Sequence, residues 1–370
     1  MAGPLSGTRI VELAGIGPAP FAGMLLADLG ADVVRVDRPD GRDPFPVDPR
    51  HDLLGRGKRS VLVDLKSPDG SAAVRALAGR ADILIEGFRP GVAERLGVGP
   101  ADCHAVNPAL VYGRMTGWGQ DGPLAQRAGH DIAYIALAGA LHTIGPTADG
   151  PPVPPLNLLG DYGGGGMLLI VGVLAALLRA RATGRGEVVD ASIVDGAALL
   201  STQVHGLLHS GLWHDRRAGN ILDGAAPNYG VYRTADGEYL AVGPLEPKFW
   251  AEFASLVGLD PSANPYDRDG WSDLRATIAE RIATRTRAEW VDVFDGSDAC
   301  VAPVLGLREA ANGAHPHLVA RGTFVESHGI RQPAPAPRFA DAPTALGGPP
   351  PRPGEHDLDK VLQDWLVTEE

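Results

Sequence analysis

The chain has 370 residues, a formal net charge of −12, and 44% hydrophobic against 21% charged residues. That length suits two domains rather than one small core, and the apolar content belongs to a globular enzyme rather than a disordered chain, despite 49 glycines and 32 prolines. The acidic balance argues against general affinity for nucleic acid or an anionic membrane, and the two separated cysteines, Cys103 and Cys300, support neither a disulfide framework nor a zinc site.

The opening Met1-Ala2-Gly3-Pro4-Leu5 lacks the basic and apolar regions of a secretory signal, and residues 367–370 carry no address motif, so a reducing cytoplasm is the expected compartment. Residues 9–13 read as a short apolar strand, 21–29 as a helix closed by Gly30, and 32–36 as a second strand. Between the first strand and the helix lies Gly15-Ile16-Gly17-Pro18-Ala19-Pro20, and Asp37 follows. This nearly reproduces a dinucleotide fingerprint, with its acid about 20 residues on. Pro20 replaces the third small residue and Pro18 stiffens the turn, so a plain strand–turn–helix unit is the preferred reading.

Residues 60–65 form a third strand, and Ser67-Pro68 supplies an N-cap with proline at the first position of a helix that Gly79 ends. Residues 83–85 and 110–112 are further strands. Strands separated by helices imply a mainly parallel sheet covered on both faces. The C-terminal ends of such strands meet at one edge, where ligands bind. Arg38, Arg56, Lys58, Arg59, Lys66, Arg89 and Arg95 lie beside the strand ends, and cations gathered there suit a phosphorylated ligand.

The loop Thr116-Gly117-Trp118-Gly119-Gln120-Asp121-Gly122-Pro123 leads toward Gly129-His130-Asp131. Of eleven histidines, His130 stands in the most suggestive setting, between a glycine and an acid, and is a candidate for proton transfer. Next comes Gly160-Asp161-Tyr162-Gly163-Gly164-Gly165-Gly166, directly before the apolar run 167–178. Four glycines cost conformational entropy and mark close backbone approach. Read as the start of a helix, the segment offers free N–H groups to an anion, either Asp161 or charge developing on a ligand. Asp161 as a simple helix cap, worth ~1 kcal/mol, is the plainer alternative. The run 167–178 is too short to span a bilayer and reads as a core helix.

A strand at 187–191 and one long helix at 194–208 follow. Residues 229–233 and 238–242 form a hairpin around Ala235-Asp236-Gly237, and helices are expected at 247–257, 271–284 and 287–294. The proline-rich stretch 332–353 must be extended or loop-like, and 356–366 forms an amphipathic helix with Leu358, Val361, Leu362 and Trp365 on one side. The sequence holds no H-E-x-x-H, no P-loop and no G-x-S-x-G, so no metal site is expected.

Several segments together are more specific than any one of them. They are Pro4-Leu5-Ser6-Gly7-Thr8-Arg9-Ile10-Val11-Glu12-Leu13-Ala14, Leu26-Ala27-Asp28-Leu29-Gly30-Ala31-Asp32, Asp64-Leu65-Lys66-Ser67, Phe88-Arg89-Pro90-Gly91, the 116–123 loop, Gly129-His130-Asp131-Ile132, the Asp161 loop and Ala235-Asp236-Gly237. Over nearly the whole chain they resemble the family III coenzyme A transferases (CaiB/BaiF), and within them the α-methylacyl-CoA racemases.

The resemblance implies an α/β fold with a Rossmann-like large domain and parallel sheet, a smaller α/β domain, and an interlocked homodimer. The large domain would span 1–205, the small one 220–310, and 311–370 would return to the large domain. It implies racemisation of 2-methylacyl-CoA thioesters through an enolate, with His130 and Asp161 exchanging the α-proton and Glu246 orienting His130. Its alternative is CoA transfer with Asp161 as nucleophile. CoA contacts are implied at Arg38, Leu65, Lys66, Glu86, Phe88, Arg89, Arg95, Gly129, Asp131 and Tyr134, and the N–H groups of Gly163 and Gly164 are expected to meet the enolate oxygen. No cofactor beyond the CoA of the substrate is implied, nor any nucleic-acid or membrane partner. Asn228 stands where the family often carries an aromatic residue, and is expected to shape the acyl pocket.

Overall fold

Short β-branched runs form six strands: β1 (Arg9–Leu13), β2 (Asp32–Asp37), β3 (Arg59–Leu62), β4 (Ile83–Glu86), β5 (Val111–Thr116) and β6 (Val188–Ser192). In this computed structural model, which describes residues 3–40, 47–260 and 262–366, they make one sheet in the order β3-β2-β1-β4-β5-β6. Met1, Ala2 and 367–370, read above for address signals, lie outside the described residues. All five pairings are parallel, as the alternation of strands and helices predicts.

The strands are apolar on both faces because both faces are covered. Ile10, Val33, Ile83, Ile85, Val111 and Met115 pack with Leu26, Leu169, Val173 and Leu177 on one side. Val11, Val34, Val36, Leu84 and Tyr112 pack with Val74, Leu77, Cys103, Val361 and Trp365 on the other. The helix Leu358–Asp364 therefore completes the second face, and the Trp365 indole donates to Asp32 at 2.7 Å.

The expected elements recur with four informative differences. The first helix, Pro18–Asp28, begins at Pro18 rather than at 21, because a proline in the first turn lacks only an N–H that would have no partner there. β5 runs on to Thr116 and so delivers the 116–123 loop directly from the sheet. The single helix expected at 194–208 is two, Ile193–Leu200 and Thr202–His209, parted at Ser201 where ψ turns to 8°. The apolar helix does not start at 167: a π-helix, Leu158–Gly166, runs straight into the α-helix Met167–Thr183. The joined 26 residues are long and apolar enough to cross a membrane by length and composition, so shortness is no argument against it. Packing is: half of that apolar window is buried within the protein, with Leu169, Ile170, Val173 and Leu177 against the sheet.

The chain divides into two compact units. The first takes the residues up to Ala138, Leu156–Leu200, and those from Ala311 on, including the hairpin β10 (Phe324–Ser327) and β11 (Ile330–Pro333). The second takes Gly139–Pro155 and Ser201–Ala310. Residues 139–155 thus group with the second unit rather than the first, and the Arg217 guanidinium bonds the carbonyls of Gly150 and His142 there. This unit is built on an antiparallel sheet of β7 (Gly230–Arg233), β8 (Tyr239–Val242) and β9 (Val301–Pro303), with a core of Tyr232, Leu240, Trp250, Phe253, Ile278 and Trp290. β9 has only three residues and ends in proline, which leaves no period for a sequence pattern to show.

Candidate active site

Beyond β5, Thr116 Oγ1 accepts the N–H of Gly119 and turns the chain toward His130. His130 is the N-cap of the helix Asp131–Leu137, with extended backbone, and its carbonyl accepts the first helical N–H, from Ala133 at 2.8 Å. Its side chain takes no part in the cap and lies exposed. Tyr134 anchors this helix start. Its ring lies so close to Gly117 and Gly129 that neither has room for a Cβ, and Trp118 meets it edge-on at 4.6 Å. Gly129 is thus explained by ring packing. Burial pushes the Tyr134 phenol up, the charge of Asp161 adds to this, and Arg89 opposes it.

Asp161 sits inside the π-helix. The glycines around it serve close packing. A Cβ on Gly164 would come within 2.8 Å of Ala197 N, and one on Gly166 within 2.7 Å of Phe21. A Cβ on Gly165 would reach Pro18 at 3.0 Å, and Phe21 stacks on Tyr162 at 4.6 Å. The first helix and the helix Ile193–Leu200 therefore clamp the segment from two directions. This corrects the expected role of Gly163 and Gly164. Both lie within a helix whose N–H groups bond five residues back, so neither is free to meet an enolate oxygen.

The anion at the start of this helix is Asp131. Its Oδ1 accepts the N–H of Asp161 at 2.6 Å, and the same oxygen lies over Gly160, which has no room for a Cβ. Burial pushes the Asp131 carboxyl up, against the hydrogen bonds from Asp161 and Gly160. Asp131 is thus buried and engaged with backbone, not with a CoA contact surface. The Asp161 carboxylate is half-buried, and its Oδ2 accepts the Asn157 amide at 3.2 Å. Burial pushes this carboxyl up, Asn157 opposes, the charge of Asp131 raises it further, and His130 opposes again. His130, Asp131, Tyr134, Asn157 and Asp161 therefore form one electrostatic neighbourhood.

Gly17 belongs to it too. Its φ is +70°, and a Cβ there would lie 3.0 Å from Asp161 Oδ2. The turn that mimics a dinucleotide fingerprint is shaped around this carboxylate. Gly17→Ala is expected to destabilise by ~1 kcal/mol or more through the left-handed backbone alone, and chemical denaturation checks it. The sequence reading missed Asn157 altogether. Its only signal is its place four residues before Asp161, a spacing that faces it only once the π-helix is known.

Arg38, Lys66, Arg89 and Arg95 follow the C-terminal ends of β2, β3 and β4, are exposed, and make no ion pair among the described residues. Leu65 and Phe88 are half-buried and pack on the core beneath. Glu86 departs from expectation. Its side chain is fully buried, with Oε1 accepting from Arg114 Nε at 3.0 Å and Oε2 accepting the Phe88 N–H at 2.6 Å. Burial pushes it up to about 7, against the pull of Phe88 and Arg114. It shapes the turn that carries Phe88 and Arg89 and cannot itself touch a ligand.

Glu246 belongs to the second unit, as N-cap of the helix Pro247–Val257, with an exposed carboxylate that does not cap its own helix. Asn228 is fully buried and donates to the Pro244 carbonyl at 3.1 Å, while the Tyr266 hydroxyl donates to the Leu245 carbonyl. Asn228 therefore fixes the loop before Glu246.

A doubly covered parallel sheet with an Asp in a glycine-packed helix at its edge defines the class: the chain belongs to CoA-transferase family III, which matches residues 5–357. Among its relatives, alpha-methylacyl-CoA racemase of Mus musculus is 42% identical over 370 residues, 99% of this chain and 94% of the relative. Succinyl-CoA:glutarate CoA-transferase of Mus musculus is 30% identical, over 99% of this chain and 87% of that one. The crystal structure of a CAIB/BAIF family protein from Brucella suis superposes with a TM-score of 0.83 at 27% identity, covering 99% of this chain and 100% of that chain.

Proposed function

We propose that the protein is a racemase that interconverts (R)- and (S)-2-methylacyl-CoA thioesters by exchange of the α-proton. The observation that carries this reading is the pairing of an exposed imidazole at one helix start with the half-buried carboxyl of Asp161, whose backbone N–H is bonded to the first residue of that same helix. The greater identity to the racemase than to the transferase supports it.

A thioester α-proton is too weakly acidic to leave unaided at neutral pH, so a base is needed on one face and an acid on the other. Neutral His130 removes the proton from one enantiomer, and protonated Asp161 returns one to the opposite face. The roles reverse for the other enantiomer. Burial favours the protonated Asp161 that this requires. Arg38, Lys66, Arg89 and Arg95 meet the phosphates of CoA at the sheet edge. CoA enters as part of the substrate, and no step calls on a further cofactor.

We place the enzyme in the cytoplasm, where both cysteines would stay as free thiols. We also infer a homodimer. Met167, Val171 and Leu178 expose an apolar stripe on one face of their helix, which a second copy would cover.

The test is a single-enantiomer 2-methylacyl-CoA in deuterated water. Incorporation of α-deuterium with loss of optical purity is expected. Capture of an Asp161 thioester by hydroxylamine without α-exchange would overturn the proposal in favour of CoA transfer.

A further inference from the structure

We infer that Asp131 is a positioning residue that sets the spacing between His130 and Asp161, so that proton removal and return fall on opposite faces of one carbon. The inference rests on the racemase reading.

Asp131 is joined to His130 by a peptide bond and is the first residue of the helix that His130 caps. It cannot move without carrying the imidazole with it. Its Oδ1 holds the Asp161 N–H at 2.6 Å, a short bond of the kind an ionised acceptor makes. The bond is made to the backbone of Asp161 and leaves that carboxyl free for chemistry. Gly160 keeps the approach open: a Cβ there would overlap the Asp131 carboxylate and lie 2.9 Å from Ile135 Cγ2. One carboxylate thus spans from the residue after the base to the N–H of the acid, with no side chain between.

A helix cap alone does not account for the choice of residue. Asp131 Oδ2 is buried and has no hydrogen-bond partner among the described residues. A serine or asparagine could cap a helix without burying half a carboxylate. What the full charge adds is a short bond and a negative field at Asp161, whose other electrostatic neighbours, Asn157 and His130, act the opposite way. The field favours a proton on Asp161 at the moment it must donate.

The test compares Asp131→Ala and Asp131→Asn with the wild type on both enantiomers, reading α-deuterium exchange and inversion separately. In the wild type His130 removes the proton, the C–H electron pair enters the enolate, and Asp161 delivers a proton to the other face. With Asp161 displaced, the imidazolium exchanges its proton with solvent and returns a deuteron to the face it came from. Asp131→Ala should therefore lower kcat for inversion by ~10- to 100-fold, leave KM within about threefold, and let exchange outpace inversion for the enantiomer that His130 deprotonates. Asp131→Asn keeps an acceptor for the Asp161 N–H but not the charge, and its inversion should fall between that of Asp131→Ala and the wild type. An exchange-to-inversion ratio that does not move in Asp131→Ala, or an asparagine variant no better than alanine, overturns the inference. A wild type that exchanges no α-hydrogen overturns the racemase reading as well, so the two failures are distinct.

Discussion

Asp161→Asn is expected to reduce inversion of a 2-methylacyl-CoA by ~10²-fold or more, with α-deuterium exchange falling less for the enantiomer that His130 deprotonates, while CoA still binds. The substitution keeps the size of the side chain and an oxygen for the Asn157 amide, so the π-helix and its packing survive. It removes the one proton that the carboxyl must give and take. His130→Ala removes the other partner, and the double variant should be little worse than either single one, because the two groups act as a unit. CoA binding is expected to survive because the substitution leaves in place the four exposed cations that follow β2, β3 and β4 and are proposed to meet its phosphates. Chiral analysis of the thioester together with CoA titration separates the two effects. The pH dependence has a fixed sign. Burial raises the Asp161 carboxyl above its ordinary range. In the direction in which Asp161 donates, the rate falls as pH rises through that raised value, because a carboxylate has no proton to give. In the reverse direction the rate falls as pH drops through it.

Lys58→Met is expected to destabilise the first unit by ~3–5 kcal/mol, the cost of leaving one member of a buried ion pair alone. Glu12 on β1 and Lys58 just before β3 are both fully buried, with Nζ 2.6 Å from Glu12 Oε2 and 2.9 Å from the Pro20 carbonyl. Glu12 Oε1 has no further partner among the described residues, and a Cβ on Gly23 would overlap the carboxylate. Without Lys58 the carboxylate has neither its cation nor water. Replacing both residues with apolar ones, as in Glu12→Leu with Lys58→Met, should recover much of the loss, and chemical denaturation of the single and double variants checks this. The effect should reach the active site as well. Lys58 Nζ holds the Pro20 carbonyl in the segment whose Gly17 abuts Asp161.

The parallel sheet was legible because its strands are contiguous β-branched runs and its helices carry local punctuation such as Ser67-Pro68. His130 and Asp161 stood out in the sequence because each lies in a glycine-rich setting, though packing accounts for those glycines. What the glycines do was not legible. A run of four glycines before an apolar run reads as a helix start with free N–H groups, whereas the π-helical ladder and the close contacts with Ala197, Pro18 and Phe21 exist only in three dimensions. Asp131 and Glu86 were misplaced among the CoA contacts for a related reason. Both lie within segments that suggest ligand binding, but each side chain turns inward, one to the backbone of Asp161 and the other to Arg114. Asn228 was read as a departure from the family pattern, and its side chain is buried and bonded to the Pro244 carbonyl. In each case a short motif marks the neighbourhood, and long-range contact decides the direction of the side chain.

Val361 and Trp365 carry a consequence for biosynthesis. They close one face of the six-stranded sheet, yet they follow the entire second unit in the chain. A nascent polypeptide leaving the ribosome N-terminus first leaves the part of this face that Val361 and Trp365 cover open until more than two hundred residues beyond β5 have emerged. During that interval the sheet is an open apolar surface, and a chaperone that shields it would act on this half-built intermediate.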